Sequence, residues 1–273
     1  MPVALRLRVA VVVVAAGTLL AGLPAATAAA PTTEQPTASA SASVGPSQTR
    51  RSLPQRLTHL GSSTQVLVVR AANWSTSHAS LVAWRQSSDG SWQRAFGPVP
   101  ARIGWNGFAW AARRVQSSGE TPAGTFRLLR GFGLARPAGV RMPYRVVDLK
   151  DWWPYDPKDA RTYNVFQTSR SRAARWRTSW AEHLATYRRQ YRYAMILDYN
   201  LPSGVHVDGG QRVATVPADT RKGGGIFLHV NGDGATAGCV SVARPTMRTV
   251  LTWLDPTALP RIVMGPASVL DRL

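Results

Sequence analysis

Between residues 65 and 264 the apolar side chains of this chain gather in segments of four to six residues, each closed off by Gly, Pro, Asn or Asp. A buried strand needs that length, whereas an amphipathic helix needs about ten residues or more with a repeat near 3.6. Gln65 to Arg70 (QVLVVR) reads as a buried strand, and Ser80 to Arg85 and Ser91 to Phe96 flank Asp89-Gly90, a hairpin turn pair. Further strands are expected at Thr125 to Leu129, Tyr144 to Leu149, Ala194 to Tyr199, Gly225 to Val230 and Arg261 to Met264. Two peripheral helices complete a mainly β reading. Pro245 to Leu254 carries Met247, Val250, Leu251 and Leu254 on one face, with Pro245 suited to the first turn; Ser179 to Tyr191 is polar, with Trp180, Leu184 and Tyr187 at helical spacing.

The first sixty residues belong to a different regime. Arg6 and Arg8 precede a nearly continuous apolar stretch from Val9 to Leu23, and Ala26-Thr27-Ala28 offers a small-x-small cleavage site, so residues 1–28 read as a signal peptide. Pro24 interrupts the stretch short of the roughly 20 residues a membrane span needs, and membrane attachment is expected only if this segment is retained. Residues 29–63 are dominated at first by Ala, Ser, Thr, Pro and Gln, which bury too little surface to offset ordering entropy, and are read as a tether. One domain is expected over 64–273.

Export governs how the charge is read. The formal charge is +19, from 33 basic and 14 acidic residues, and Lys150, Lys158 and Lys222 are the only lysines. Nucleic acid is the common partner of so basic a chain, but an exported one meets anionic wall polymers instead, and those are the expected contacts. The arginine run from Arg161 to Arg192 reads as a solvated face. Secreted, wall-associated placement follows.

Export also makes the single cysteine informative. Cys239 stands ten positions after His229, in His229-Val230-Asn231-Gly232-Asp233-Gly234-Ala235-Thr236-Ala237-Gly238-Cys239. In an oxidising compartment an unpaired thiol is either a buried structural group or a reagent. Strand alternation puts Ile226, Leu228 and Val230 on one face of the preceding strand and Phe227 with His229 on the other. A histidine at a strand end, with a glycine-rich turn returning the chain toward it, equips a cysteine for acyl transfer: the imidazole takes the thiol proton and later returns it to a leaving group. Main-chain N–H groups of Gly238 and Cys239 are candidate oxyanion donors.

Thr236-Ala237-Gly238-Cys239-Val240, preceded by Ile226-Phe227-Leu228-His229, resembles the signature of the L,D-transpeptidase (YkuD) catalytic domain. Glu120-Thr121-Pro122-Ala123-Gly124-Thr125-Phe126 is similar to that family's Thr-Pro-x-Gly-x-Phe block. The resemblance implies a mixed β-sandwich and an enzyme that acts on peptidoglycan stem peptides without metal or organic cofactor. It implies Cys239 as nucleophile, His229 as general base and acid, and the backbone carbonyl of Val230 as the group that orients the imidazole. The family commonly carries a second histidine just before the Gly-Cys pair and Arg or Asn two positions after the cysteine. This chain has Ala237 and Ser241 there, and a shorter His-to-Cys loop.

Thr236, Trp152 and Trp153 are the residues expected to face substrate; Trp105 and Trp110 also offer flat apolar faces, with core packing as the alternative for each tryptophan. His206 lies in a turn-rich stretch, and no His/Cys/Asp/Glu spacing suggests a metal site. Three rival readings remain: a sortase-like enzyme using His183 and Arg248 around Cys239, a papain-type protease, whose cysteine would precede its histidine, and a wall-binding module that has lost the chemistry.

Overall fold

The computed structural model describes residues 52–273, so the expected signal peptide and residues 29–51 of the tether lie outside the described residues. The strands are β1 (Gln65–Ala71), β2 (His78–Gln86), β3 (Trp92–Arg102), β4 (Phe108–Trp110), β5 (Thr121–Gly133), β6 (Tyr144–Val146), β7 (Trp152–Pro154), β8 (Ala181–His183), β9 (Ala194–Leu197), β10 (Ser203–Asp208), β11 (Gln211–Val216), β12 (Phe227–Val230), β13 (Val240–Val242) and β14 (Arg261–Pro266). Among the described residues one α-helix, α1 (Arg244–Trp253), links β13 toward β14. The main sheet runs β14-β1-β2-β3-β13-β12-β9-β5-β4, with β6 on β5, and β14 pairs with β5 as well as β1. That second pairing closes the sheet through β5, so the layers of this mainly β fold are continuous and enclose their core.

The alternating strands make two chemically different faces. The enclosed face gathers Leu67, Leu81, Ala101, Leu128, Met195, Leu228, Val240 and Met264; α1 adds Met247, Val250 and Leu251, and Leu254 follows at its C-cap. On the outer face of β5, β9 and β12 a second cluster forms from Phe132, Ala194, Ile196 and Phe227, with Trp153, Leu184, Tyr191 and Cys239 packed on it. The long excursion between β6 and β9 supplies that cover through β7 and β8, which pair Trp153 with Glu182. On the outer face of β1 and β14, Leu57 and Leu60 join Val66, Val68, Val263, Leu270 and Leu273. Residues 52–63, which composition assigns to the tether, therefore include packed apolar side chains.

The expected helix at Ser179 to Tyr191 is absent. Its place is taken by β8 between short 3-10 turns at Thr178–Trp180 and Leu184–Thr186, with another at Gln190–Arg192. Hydrogen bonding of β8 to β7 overrides the helical spacing, because it sets Leu184 and Tyr191 into the outer cluster. The strand at Tyr144 stops at Val146, the one at Thr125 begins at Thr121 and runs to Gly133, and the turn-rich stretch around His206 is a hairpin, β10–β11, whose first strand is exposed. The Asp89-Gly90 hairpin and the helix beginning near Pro245 stand where the sequence places them.

Candidate active site

Cys239 and His229 share one face of the sheet because β12 and β13 are parallel neighbours. The register pairs Leu228 with Val240 and His229 with Ser241, which sets Cys239 beside Phe227, two residues short of the histidine on the same outer face. Both groups are buried, Cys239 at 9% exposure and His229 at 5%. Nδ1 of His229 lies 2.8 Å from the carbonyl oxygen of its neighbour Val230. A carbonyl can only accept, so Nδ1 carries the proton and Nε2 is left as the basic atom. Burial drives the imidazole down to about 4, only partly offset by the Val230 carbonyl, and so keeps it neutral and able to accept.

The cysteine Sγ receives the Phe227 N–H at 3.3 Å and donates to the Gly225 carbonyl at 3.2 Å. Burial pushes the thiol up to about 12; the charge of Glu182 adds to this, while the Phe227 N–H and Arg114 oppose it. The resting pair is thus a neutral thiol beside a neutral imidazole.

The two sequence blocks are brought into contact at the cysteine main chain. The Cys239 carbonyl accepts the Thr236 hydroxyl at 2.5 Å and the Thr121 hydroxyl at 3.5 Å, while Thr121 Oγ1 receives the Gly104 N–H at 2.8 Å. Thr236 Oγ1 also accepts the Gly238 N–H at 3.1 Å, so in this state Thr236 serves the loop and one of the two candidate oxyanion donors is engaged. Gly238 has φ +134°, and a Cβ there would stand 2.7 Å from Arg114 Nη2 and 2.8 Å from the Glu120 carbonyl. Only glycine fits that approach.

Trp153 and Trp152 separate in role. Trp153 is buried, donates through Nε1 to Asn164 Oδ1 at 2.8 Å and packs edge-on against Phe227, so it roofs the cysteine cluster. Trp152 turns away and stacks on His183 with ring centroids 4.0 Å apart. His183 Nε2 is 2.7 Å from the Leu149 carbonyl, and Arg248 lies on α1, which packs into the enclosed core on the other side of the sheet. The sortase-like trio is not assembled.

Three neighbours of the site escape the sequence reading. Arg114 is buried, donates to the carbonyls of Glu120 at 2.6 Å and Lys222 at 2.7 Å, and brings a cation to the cysteine loop. Nothing distinguishes it in an arginine-rich sequence. Tyr191 sets its ring edge against His229, centroids 5.7 Å apart, and donates its hydroxyl to Glu182. Glu182 did leave a trace: it is the only acid between Arg161 and Arg192.

The frame of the site is a closed β-sheet with a buried histidine on β12 and a buried cysteine immediately before its parallel neighbour β13. The L,D-transpeptidase catalytic domain model, YkuD, matches residues 100–264, and the chain belongs to that family. The match spans β5, β12 and β13 and hence every residue just described around the cysteine. Membership makes this an L,D-transpeptidase-type domain, of a family that acts on peptidoglycan stem peptides. No curated protein and no solved structure matches the chain.

Proposed function

We propose that the chain is an exported, cysteine-dependent L,D-transpeptidase that forms an acyl-thioester on Cys239 from a wall tetrapeptide stem and passes the acyl group to an amine. The observation that carries the reading is the parallel β12–β13 register, which puts the only cysteine on the same face as a histidine whose proton is fixed on Nδ1. In the forward step Sγ releases Gly225, gives its proton to Nε2 of His229 and attacks the carbonyl of the third stem residue; the terminal D-alanine leaves with that proton. An amine of a second stem then displaces the sulfur, giving a 3→3 link, or a free D-amino acid does so in exchange. Anionic wall polymers hold the +19 chain at its substrate. Incubation with a disaccharide tetrapeptide followed by mass analysis tests the reading. A cross-linked dimer or an exchanged stem supports it. A trimmed tripeptide alone makes the protein an L,D-carboxypeptidase, and an untouched stem makes it a wall-binding module.

A further inference from the structure

Most acids among the described residues are held by arginine; Glu182, like Asp89, Glu120, Asp148 and Asp159, is not. Eight described carboxylates carry a guanidinium partner, including the buried Asp151 and Asp156. In the middle of the arginine run, Glu182 accepts the Tyr191 hydroxyl instead. Its place is unusual. The β7–β8 register sets it across from Trp153, the roof of the cysteine cluster, and Tyr191 links it to the face of His229. Tyr155 and Tyr187 also lie close enough to feel its charge, and the rings of Tyr187 and Tyr191 are 5.2 Å apart. Glu182 is half-buried as a residue, against the buried Cys239 and His229, while its carboxyl group is turned inward onto Tyr191.

A carboxylate without a guanidinium, ringed by phenols, is complementary to one kind of group: a primary ammonium, which pairs with the charge and lies against the ring faces. Water, the competing acceptor, can hydrogen-bond to the carboxylate but has no net charge to pair with it or to hold against the ring faces. Resting on the transpeptidase reading above, we propose that Glu182 with Tyr155, Tyr187 and Tyr191 is the seat of the acceptor ammonium, and that the Glu182 carboxylate takes its first proton. The step balances. The ammonium gives one proton to Glu182 and becomes an amine; its nitrogen forms the new C–N bond as the C–S bond breaks; the second proton passes through His229 to the departing sulfur; the third stays on the amide. Glu182 then loses its proton to solvent.

Burial raises the Glu182 carboxyl to about 7, against the lowering effect of the Tyr191 hydroxyl, which makes it a better base for an amine than an ordinary carboxylate. The groups facing it are Tyr155, Tyr187, Tyr191 and the Cys239 thiol, with His229 beyond Tyr191 and Arg114 beyond the cysteine. Its negative charge also opposes thiolate formation, so its protonated form favours acylation and its ionised form the transfer to amine.

The test is the fate of the acyl-enzyme in Glu182→Gln, with a disaccharide tetrapeptide as donor and D-methionine as the amine. The expected result is undiminished acylation and carbapenem capture, with aminolysis down by about 10²-fold and hydrolysed tripeptide taking its place. The rise of aminolysis near pH 7 should vanish in the variant. Tyr187→Leu, at a more exposed position, should raise several-fold the D-methionine concentration that halves hydrolysis. An unchanged partition in both variants, or equal loss of acylation and aminolysis in Glu182→Gln, overturns the proposal alone. A wild-type protein that no donor acylates overturns the transpeptidase reading and this one with it.

Discussion

The enclosed core and the outer cluster use the same strands for opposite purposes. Inside, Leu67, Leu228, Val240, Met264 and their neighbours, apart from a few aromatics, are aliphatic, and burial there stabilises without any need for a partner. Outside, residue by residue on β12 and β13, the alternate side chains are Phe227, His229, Cys239 and Ser241, roofed by Trp153 and Tyr191 rather than by another strand of the main sheet. Aromatic rings cover the polar groups closely enough to shift both titrating partners, the thiol upward and the imidazole downward. One face of the sheet is thus plain aliphatic core, and the other, under the proposed function, carries the reactivity. A substitution reveals which face it touches by which property it changes.

The largest expected effect is Cys239→Ala, which removes the nucleophile from the outer cluster at little structural cost. Turnover and carbapenem capture should both fall below detection while the melting temperature stays near that of the wild type. Turnover at the wild-type rate would remove Cys239 from the mechanism.

Next in size is His229→Ala, expected to slow acylation by about 10² to 10⁴. His183→Ala, on the far side of Trp152, should leave acylation unchanged. In the wild type the base works only when neutral, and burial has lowered His229 to about 4. Acylation should therefore be lost as pH falls through about 4, not through the 6.5 of a free imidazole. A limb at 6.5, seen in stopped-flow acylation against pH, would show that the histidine is solvated in the working enzyme.

The comparison is sharpest across one peptide bond. Leu228→Ala should cost about 2–5 kcal/mol of folding stability, read as a shifted denaturant midpoint, with normal acylation in the molecules that remain folded. Phe227→Ala should cost about 3–5 kcal/mol and also slow acylation, because its ring touches Trp153, Tyr191 and Phe132 in the cysteine cluster. Equal acylation in both variants would break the division of labour between the faces.

The smallest effect on chemistry is expected from salt. Adhesion to isolated walls should weaken as the Debye length falls from about 10 Å at 0.1 M to about 3 Å at 1 M, while acylation of a soluble donor changes little. Co-sedimentation that persists at 1 M salt would replace charge with shape-specific contacts as the basis of adhesion.

Much of this protein was determined locally and could be read in that way. Segment length and turn residues fixed strands at Gln65, Ala194 and Arg261 and the helix after Ala243, because alternation and 3.6 periodicity are properties of neighbouring residues. The Gly-Cys turn and the strand face that His229 shares with Phe227 were legible for the same reason. The segment from Ser179 to Tyr191 was not: its spacing suits a helix, and only pairing with Trp152–Pro154 makes it strand and turn. The neighbours that tune the thiol were hidden as well. Arg114 is one of many arginines until Gly238 brings the loop against it, and Glu182 is one acid in a basic run until Tyr191 folds over to meet it. Sequence set which residues could carry the chemistry; the closure of the sheet and its roof decided their solvent and their charged neighbours, because desolvation and electrostatics depend on distances through space rather than along the chain.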